Sequence, residues 1–270
     1  MTAPAAEGQF GKDVTMGDLR ESMKKLGFKD MYEVALGADL TAESEAEEWV
    51  EALEKGEKKT TSCCPAFVAM IRRHFPQLAD AISTTVSPMA ATSRYIKAMD
   101  PDAVTVFIGP CVAKKSEMLD ENIEGSADYV LTLKELKAMF DAKDIIVKAS
   151  GAHLQQGSIY GRRFAHAGGV TEAVLQTLKE KGIEKDVKVL RANGAKECKK
   201  GLTLLKSGRL PEHFIEGMAC EGGCVNGPGC LLTELESKKV REVLQKVMDD
   251  RKVTDTVNEC EAAYEFKMHR

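Results

Sequence analysis

The order of this sequence predicts an α/β fold in two lobes, with largely parallel sheets flanked by helices. Short apolar runs of strand length, at 103–108 (AVTVFI), 187–190 and 214–218, alternate with longer stretches whose apolar residues recur every three or four positions. Strands that alternate with helices build parallel sheets. Cysteine-bearing loops follow strands in both halves, and the carboxyl ends of parallel strands are where such sheets carry their sites. With 270 residues and 43% apolar content, the chain can bury one large or two modest cores. The reading is a single domain over 1–270, with approximate lobes 1–143 and 144–270 and the site between them.

Taken in order, Thr15 caps a helix to about Leu26, with Leu19, Met23 and Leu26 on one face and Gly27 closing it. A second helix fits 41–55, with Ala46, Trp49, Val50 and Leu53 inward and Glu45 and Glu48 on another face. Pro65 and Pro88 each suit the first position of a helix, to about Phe75 and Met99. The 103–108 strand ends at Gly109-Pro110-Cys111. Tyr129 opens a short strand into the capping box Thr132-Leu-Lys-Glu135 and a helix with Leu136, Met139 and Phe140 inward. A strand is expected at 145–147, and 150–167 is irregular and glycine-rich. Helices follow at 169–178 and 195–205. Thr233 starts the last long helix, with Leu235, Val240, Val243, Leu244 and Val247 inward. The tail from Thr254 is weakly patterned.

Composition excludes several classes. A net charge of -4 with mixed signs argues against a nucleic-acid surface. No apolar run reaches the roughly 18 residues of a membrane helix. The opening MTAPAAEGQFGKD has neither the basic nor the apolar region of an export signal, so a cytoplasmic protein is expected. Eight cysteines are too sparse for a disulfide scaffold and read as reduced thiols available to metal.

The chain is organised around CEGGCVNGPG at 220–229, where two cysteines four apart share a run with four glycines. Glycine lets backbone approach a bulky guest and leaves N–H groups free to face anionic sulfur, and thiolates suit soft metals. Zinc knuckles usually pair C-x2-C with a second Cys/His pair nearby, which is absent, so an iron–sulfur cluster is the better reading. Cys63 and Cys64 lie at a helix start, where the helix dipole favours a thiolate or an anionic cluster. Neighbouring side chains diverge, so one of the two can ligate while the other faces elsewhere. Cys198 and Cys260 read as ordinary thiols, Cys230 as a neighbour of the site and not a ligand, and His153 and His166 as structural or exposed.

Three segments, TSCCPAF at 61–67, GPCVAKKSE at 109–117 and EGMACEGGCVNGPG at 216–229, stand in an order that closely resembles the signature segments of the iron-only hydrogenase catalytic domain. The resemblance covers nearly the whole chain, with Ala3-Pro4-Ala5 resembling that domain's start and no ferredoxin-type cysteine segment before it. It implies an oxidoreductase that interconverts protons and H2 at a [4Fe–4S] cubane joined to a diiron unit carrying CO, cyanide and a bridging azadithiolate. It assigns Cys64, Cys111, Cys220 and Cys224 to the cubane, with Cys224 bridging to the diiron unit. It assigns proton transfer to Cys63, Glu45, Ser83 and Glu48. Lys114 and Ser87 are implied to bond the cyanides, and Pro4, Phe164 and Met218 to wall the pocket. Glu117 matches a position near the cluster without an assigned role.

The same resemblance implies a ferredoxin or electron-transfer subunit as partner, maturation proteins that insert the diiron unit, and an anaerobic setting. The sequence departs from the family's best-known pattern at Gly109, Met89 and Ala52 and in the loop end GPGC. An H2 sensor with the same cofactor and a non-catalytic cluster-assembly relative are the alternatives. Cys63 and the absence of a signalling domain favour turnover over sensing. The absence of an N-terminal cluster segment and the presence of Lys114 argue against the assembly relative. Starting at Ala3 leaves one sheet edge short, which points to a partner chain or an oligomer.

Overall fold

The computed structural model describes residues 1–270. The helices of the first half are α1 (Met16–Leu26), α2 (Val34–Lys55), α3 (Pro65–His74), α4 (Pro88–Met99), α5 (Lys114–Met118) and α6 (Leu133–Ala142). Those of the second half are α7 (Ile159–Arg163), α8 (Gly169–Glu180), α9 (Ala195–Lys206), α10 (Glu234–Leu244) and α11 (Val253–Ala263). The strands are β1 (Lys59–Thr60), β2 (Val106–Gly109), β3 (Tyr129–Thr132), β4 (Val189–Asn193) and β5 (Phe214–Met218).

Every strand pairing is parallel, in one sheet of order β1-β5-β4 and a second of β2-β3. Lys59 and Val189 both sit opposite Phe214, and Val106 sits opposite Tyr129. The α/β class read from the sequence is therefore the class observed. The first sheet takes its edge strand β1 from the chain's first half, so it is not built from residues after 143 alone. Residues 1–3 run along β2, with the Ala3 N–H donating to the Ile108 carbonyl and the Ile108 N–H to that of Met1, each at 2.8 Å. Thr2 bonds Tyr32 and Val34 on its other side. The edge expected to be short is thus occupied by the chain's own first residues.

The largest core gathers around α2, which packs against α4, α7, α8 and α11. Trp49 of α2 stacks on Phe214 of β5 with ring centroids 4.4 Å apart and planes 7° from parallel. Both rings are fully buried. Capping boxes form at Thr15–Asp18, Thr132–Glu135 and Thr233–Glu236, each closing a helix N-terminus as the sequence pattern requires.

Several boundaries differ from expectation. The helix expected from Thr41 begins at Val34, because 34–42 are buried on nearly every side and carry no amphipathic period. Residues 145–147 form no strand; Ile145 and Val147 pack near Phe140 while Ile146 is exposed. Within 103–108 only Val106 onward joins the sheet, since the Thr105 N–H is taken by Asp128 at 2.7 Å. Met139 is 37% exposed at the edge of its helix.

The last helix departs furthest. Leu235, Val243 and Val247 face solvent, and α10 turns Ser237 and Arg241 inward. The buried Arg241 guanidinium donates to the carbonyls of Pro4 and Arg162, which a solvent-facing arginine could not reach. A buried charge needs those partners more than a half-buried valine needs the core. The tail expected to be unpatterned forms α11, with Val253, Val257 and Cys260 buried at helical spacing.

The Trp49–Phe214 stack joins the main helix to the central strand of the first sheet. Trp49→Ala is expected to destabilise the cluster-free protein by about 3–5 kcal/mol. Trp49→Phe, which keeps a stacked ring and removes an indole N–H that makes only a weak approach to Glu45, is expected to cost less than half as much. Urea unfolding of the two variants checks the ranking.

Candidate functional site

All three cysteine segments leave the carboxyl ends of parallel strands. The Thr61 N–H donates to Ile215 at 3.0 Å and the Gly217 N–H to the Thr61 hydroxyl at 3.2 Å, which extends the β1–β5 pairing to the brink of both cysteine loops. Pro110-Cys111 leaves β2 in the second sheet. The third loop is fastened to the second, because the Gly229 N–H donates to the Pro110 carbonyl at 2.8 Å. A side chain at Gly227 would meet that same carbonyl at 2.7 Å, so only glycine permits this approach.

Between the loops lies a cavity that opens toward solvent. Cys63, Cys64, Cys111, Cys220 and Cys224 all line it. Its walls hold no carboxylate and no imidazole, and Lys114 is the one charged side chain on them. Pro4, Phe164 and Met218 line it as expected, and Met89 joins them. Cys198, Cys230 and Cys260 lie outside; the Cys198 thiol donates to the Ala192 and Met218 carbonyls and the Cys230 thiol to that of Val225.

Burial pushes the Cys224 thiol well above its ordinary pKa, and the nearby charges of Cys111 and Cys64 push it further. Cys111 and Cys220 are raised by burial first and by their neighbouring cysteines after, with Lys114 partly offsetting the effect on Cys111. No three His, Cys, Asp or Glu side chains converge on a point where one metal ion could sit. A cubane takes one thiolate per iron and needs ligands spread around a bulky guest. Cys64, Cys111, Cys220 and Cys224 stand around a carboxylate-free cavity, an arrangement compatible with that need.

Lys114 is buried, and its ammonium donates to Glu117 at 2.5 Å and to the Cys63 carbonyl at 3.2 Å. Burial opposes its charge, and Glu117 more than restores it, so its pKa is raised. An ammonium has three donors, and these two bonds leave one for a guest in the cavity. Ser87 does not line the cavity; its hydroxyl donates to the other oxygen of Glu117. Glu117, which had no role in the sequence reading, therefore joins Ser87 to Lys114 and fixes the lysine's position.

Behind Cys63 stands Glu45, fully buried; the Ser62 N–H and the Trp49 indole N–H approach its carboxyl, but neither makes a well-formed hydrogen bond to it. Burial first, and the charge of Glu48 second, push its carboxyl up to about 8. Burial raises the Cys63 thiol well above its ordinary value, and the charge of Glu45 adds to the shift. Ser83 donates to Glu48 at 2.5 Å, and the Thr85 hydroxyl donates to the same oxygen at 3.3 Å. Glu48 is half-buried, with Lys59 at 3.9 Å on its outer side. The structure thus brings Ser83 and Glu48 into direct contact and sets Glu45 within electrostatic reach of both Glu48 and Cys63, without a direct hydrogen bond to either.

Sequence reasoning missed Glu216. Its carboxylate accepts from the Gly168 N–H at 2.8 Å, the Thr171 N–H at 2.9 Å and the Thr171 hydroxyl at 2.5 Å. It caps α8 from within β5 and so holds 164–167 against the third cysteine loop, where the Val225 N–H donates to Ala165 and the Ala167 N–H to Gly222. A carboxylate in the middle of the buried strand FIEGM was the available signal, since such a group demands partners.

The raised Glu45 carboxyl carries a stability consequence. The folded state keeps this proton up to about pH 8, whereas the unfolded chain releases it near the ordinary carboxylate value. Stability from this group is therefore full below about pH 4.5 and is lost as pH rises toward and through about 8. Glu45→Gln is expected to abolish this loss and to be the more stable protein at about pH 9, by on the order of a few kcal/mol. Urea unfolding of the cluster-free pair across pH checks it.

The sequence profile described as the iron only hydrogenase large subunit, C-terminal domain, matches residues 1–228. Iron hydrogenase 1 of Clostridium pasteurianum is 33% identical over 287 residues, covering 86% of this chain and 49% of its own length. The periplasmic [Fe] hydrogenase large subunit of Nitratidesulfovibrio vulgaris is 32% identical over 290 residues, covering 85% of this chain and 67% of its own length. The cytosolic Fe-S cluster assembly factor narfl of Danio rerio is 24% identical, covering 90% of this chain and 72% of its own. A solved [FeFe]-hydrogenase from Chlamydomonas reinhardtii has the same fold, with a TM-score of 0.76 at 22% identity, covering 99% of this chain and 89% of that one. The chain spans about half the length of several of the curated relatives it matches.

Proposed function

Because the chain belongs to the family formed by the C-terminal domains of iron-only hydrogenase large subunits, we propose that it is a hydrogenase, catalysing the reversible reduction of protons to H2. Cys64, Cys111, Cys220 and Cys224 would hold a [4Fe–4S] cubane, with Cys224 shared by an attached diiron unit bearing CO, cyanide and an azadithiolate bridge. When bound, this group would pass electrons to or from an external carrier and supply the metal and basic positions for making or splitting the H–H bond.

The chain's own residues do the rest. Lys114, held by Glu117, places a fixed cation and a free N–H toward the anionic guest in a site of low dielectric. Phe164, Met218, Pro4 and Met89 keep water from the cavity. Cys63 holds a proton as a neutral thiol, since burial disfavours its thiolate. Glu45 likewise holds one as a carboxylic acid up to about pH 8 and can give or take it near neutrality. The hydrogen-bonded pair Ser83 and Glu48 carries the path outward.

The single observation that carries this reading is Cys63, a fifth cavity thiol beyond the four that a cubane requires, beside a carboxyl that burial keeps protonated up to about pH 8. Similarity to a cluster-assembly factor supports a second reading, in which the chain holds only an iron–sulfur cluster. A cubane alone has no use for a buried acid aligned behind a spare thiol, which favours turnover. Eight free thiols suit a reducing compartment, the cytoplasm. No helix is long and apolar enough to cross a membrane. Electrons would come from a ferredoxin or an electron-transfer subunit, and maturation proteins would install the diiron unit.

Two measurements test the proposal. Protein loaded with the cubane and a synthetic diiron precursor is expected to show metal-bound CO and cyanide infrared bands that change under H2. A loaded cubane with no such bands, even with maturation proteins present, would leave the assembly-type reading. Cys63→Ala is expected to keep the same iron content and bands while losing at least about a hundredfold in H2 turnover, the scale of a general acid–base contribution. Undiminished turnover would remove Cys63 from the mechanism.

A further inference from the structure

The segment 266–270 lies as a short strap along 84–86, directly after Ser83. The Val86 N–H donates to the Met268 carbonyl at 2.8 Å and the Arg270 N–H to that of Thr84 at 2.9 Å, with Thr85 and His269 paired antiparallel. Arg94 of α4 fastens the strap from its other side by donating to the carbonyls of Lys267 and His269. These bonds hold His269 in one place although its side chain is exposed. Its Nδ1 lies 2.9 Å from the Thr84 hydroxyl, and the Thr84 N–H donates to Glu48 at 3.1 Å. One residue therefore touches both the imidazole and the outer carboxylate.

We infer that His269 is the group that exchanges protons between solvent and Glu48, at the outer end of the path that begins at Cys63. The inference rests on reading Ser83 and Glu48 as that path. In the direction of H2 formation, the imidazolium gives its proton inward to the Glu48 carboxylate through a water that bridges the two beside Thr84, whose N–H fixes the carboxylate and whose hydroxyl fixes the ring. The neutral imidazole then takes a proton from solvent. In the reverse direction both transfers run backward, and no other reactant is consumed.

Imidazole suits the role because histidine is the side chain whose ordinary titration falls between pH 5 and 8. Glu48 is otherwise faced by Lys59, which at neutral pH is a fixed cation and not a proton carrier. Glu51 of α2 is within electrostatic reach of the imidazole, Glu48 of α2 is joined to it through Thr84, and Arg94 of α4 bonds the His269 carbonyl while Arg270 of the strap turns away toward Ser62.

The test has two arms. In the cluster-free protein, the His269 ring signal is titrated by NMR, assigned among the five histidines by its loss in His269→Gln. Glu48→Gln removes a nearby negative charge and is expected to lower the His269 midpoint by about half a pH unit. An unmoved midpoint would break the link between the two groups and overturn the inference. In the loaded enzyme, His269→Gln keeps a side chain able to bond Thr84 but unable to titrate. Turnover is expected to fall by roughly tenfold with iron content and infrared bands unchanged, and to recover with added imidazole. Wild-type turnover and an unchanged pH profile in His269→Gln would overturn the inference while leaving the path intact. Undiminished turnover in Cys63→Ala would instead overturn the path and the inference together.

Discussion

Thiols buried together in one cavity resist ionisation, through desolvation first and their neighbours second, and this resistance is the constraint on which the rest of the structure turns. Each cavity cysteine with a resolved shift is raised first by burial and then by its neighbours. A chain that holds such sulfurs together must either keep them protonated or supply a multivalent cationic guest. The fold spends much of its rigidity on the arrangement. Parallel strands deliver the loops at their carboxyl ends, Gly227 and Gly229 let the third loop close on the second, and Glu216 locks the supporting helix. None of these contacts involves a cysteine side chain, so the sulfurs stay available to a guest.

The same burial explains the acid behind Cys63. A carboxylate buried without a donor is costly as an anion and far less so as an acid. Glu33 is bonded by Arg162 and Asp39 by Ser158, each at hydrogen-bond distance. Glu45 has only weak approaches from the Ser62 N–H and the Trp49 indole, so protonation relieves most of the cost of burying it.

Much of the site was legible because its residues are chemically extravagant for their surroundings. Two adjacent cysteines before a proline, a cysteine after a strand and a glycine-rich cysteine loop have no ordinary packing purpose, whereas Pro4, Phe164 and Met218 were implied only by the resemblance to the hydrogenase family. What stayed hidden depended on partners distant in sequence. Ser87 was read as facing a guest, but its hydroxyl is taken by Glu117, thirty residues on. The start of α2 was lost because a helix buried on all sides has no period to read. In α10 the apolar pattern pointed the wrong way, because the carbonyls of Pro4 and Arg162 claim Arg241 and turn the helix. Local pattern could not weigh a buried guanidinium against three valines and leucines.

Lys114 and Glu117 join the two halves of the argument. An ion pair this buried is a poor source of stability, since desolvation offsets most of its attraction. Its value lies in direction. Glu117 accepts a hydrogen bond from one ammonium N–H and the Cys63 carbonyl from another, so the lysine is aimed by the backbone of the Cys63–Cys64 loop and by a carboxylate that Ser87 holds in turn. The cation therefore cannot move without disturbing the Cys63–Cys64 loop. A charge fixed in this way is in place before any guest arrives, and electrostatic stabilisation that requires no reorganisation is the kind that a dry site can deliver in full. The geometry that disciplines the sulfurs thus also fixes the one positive charge in their cavity, and the two features are a single device.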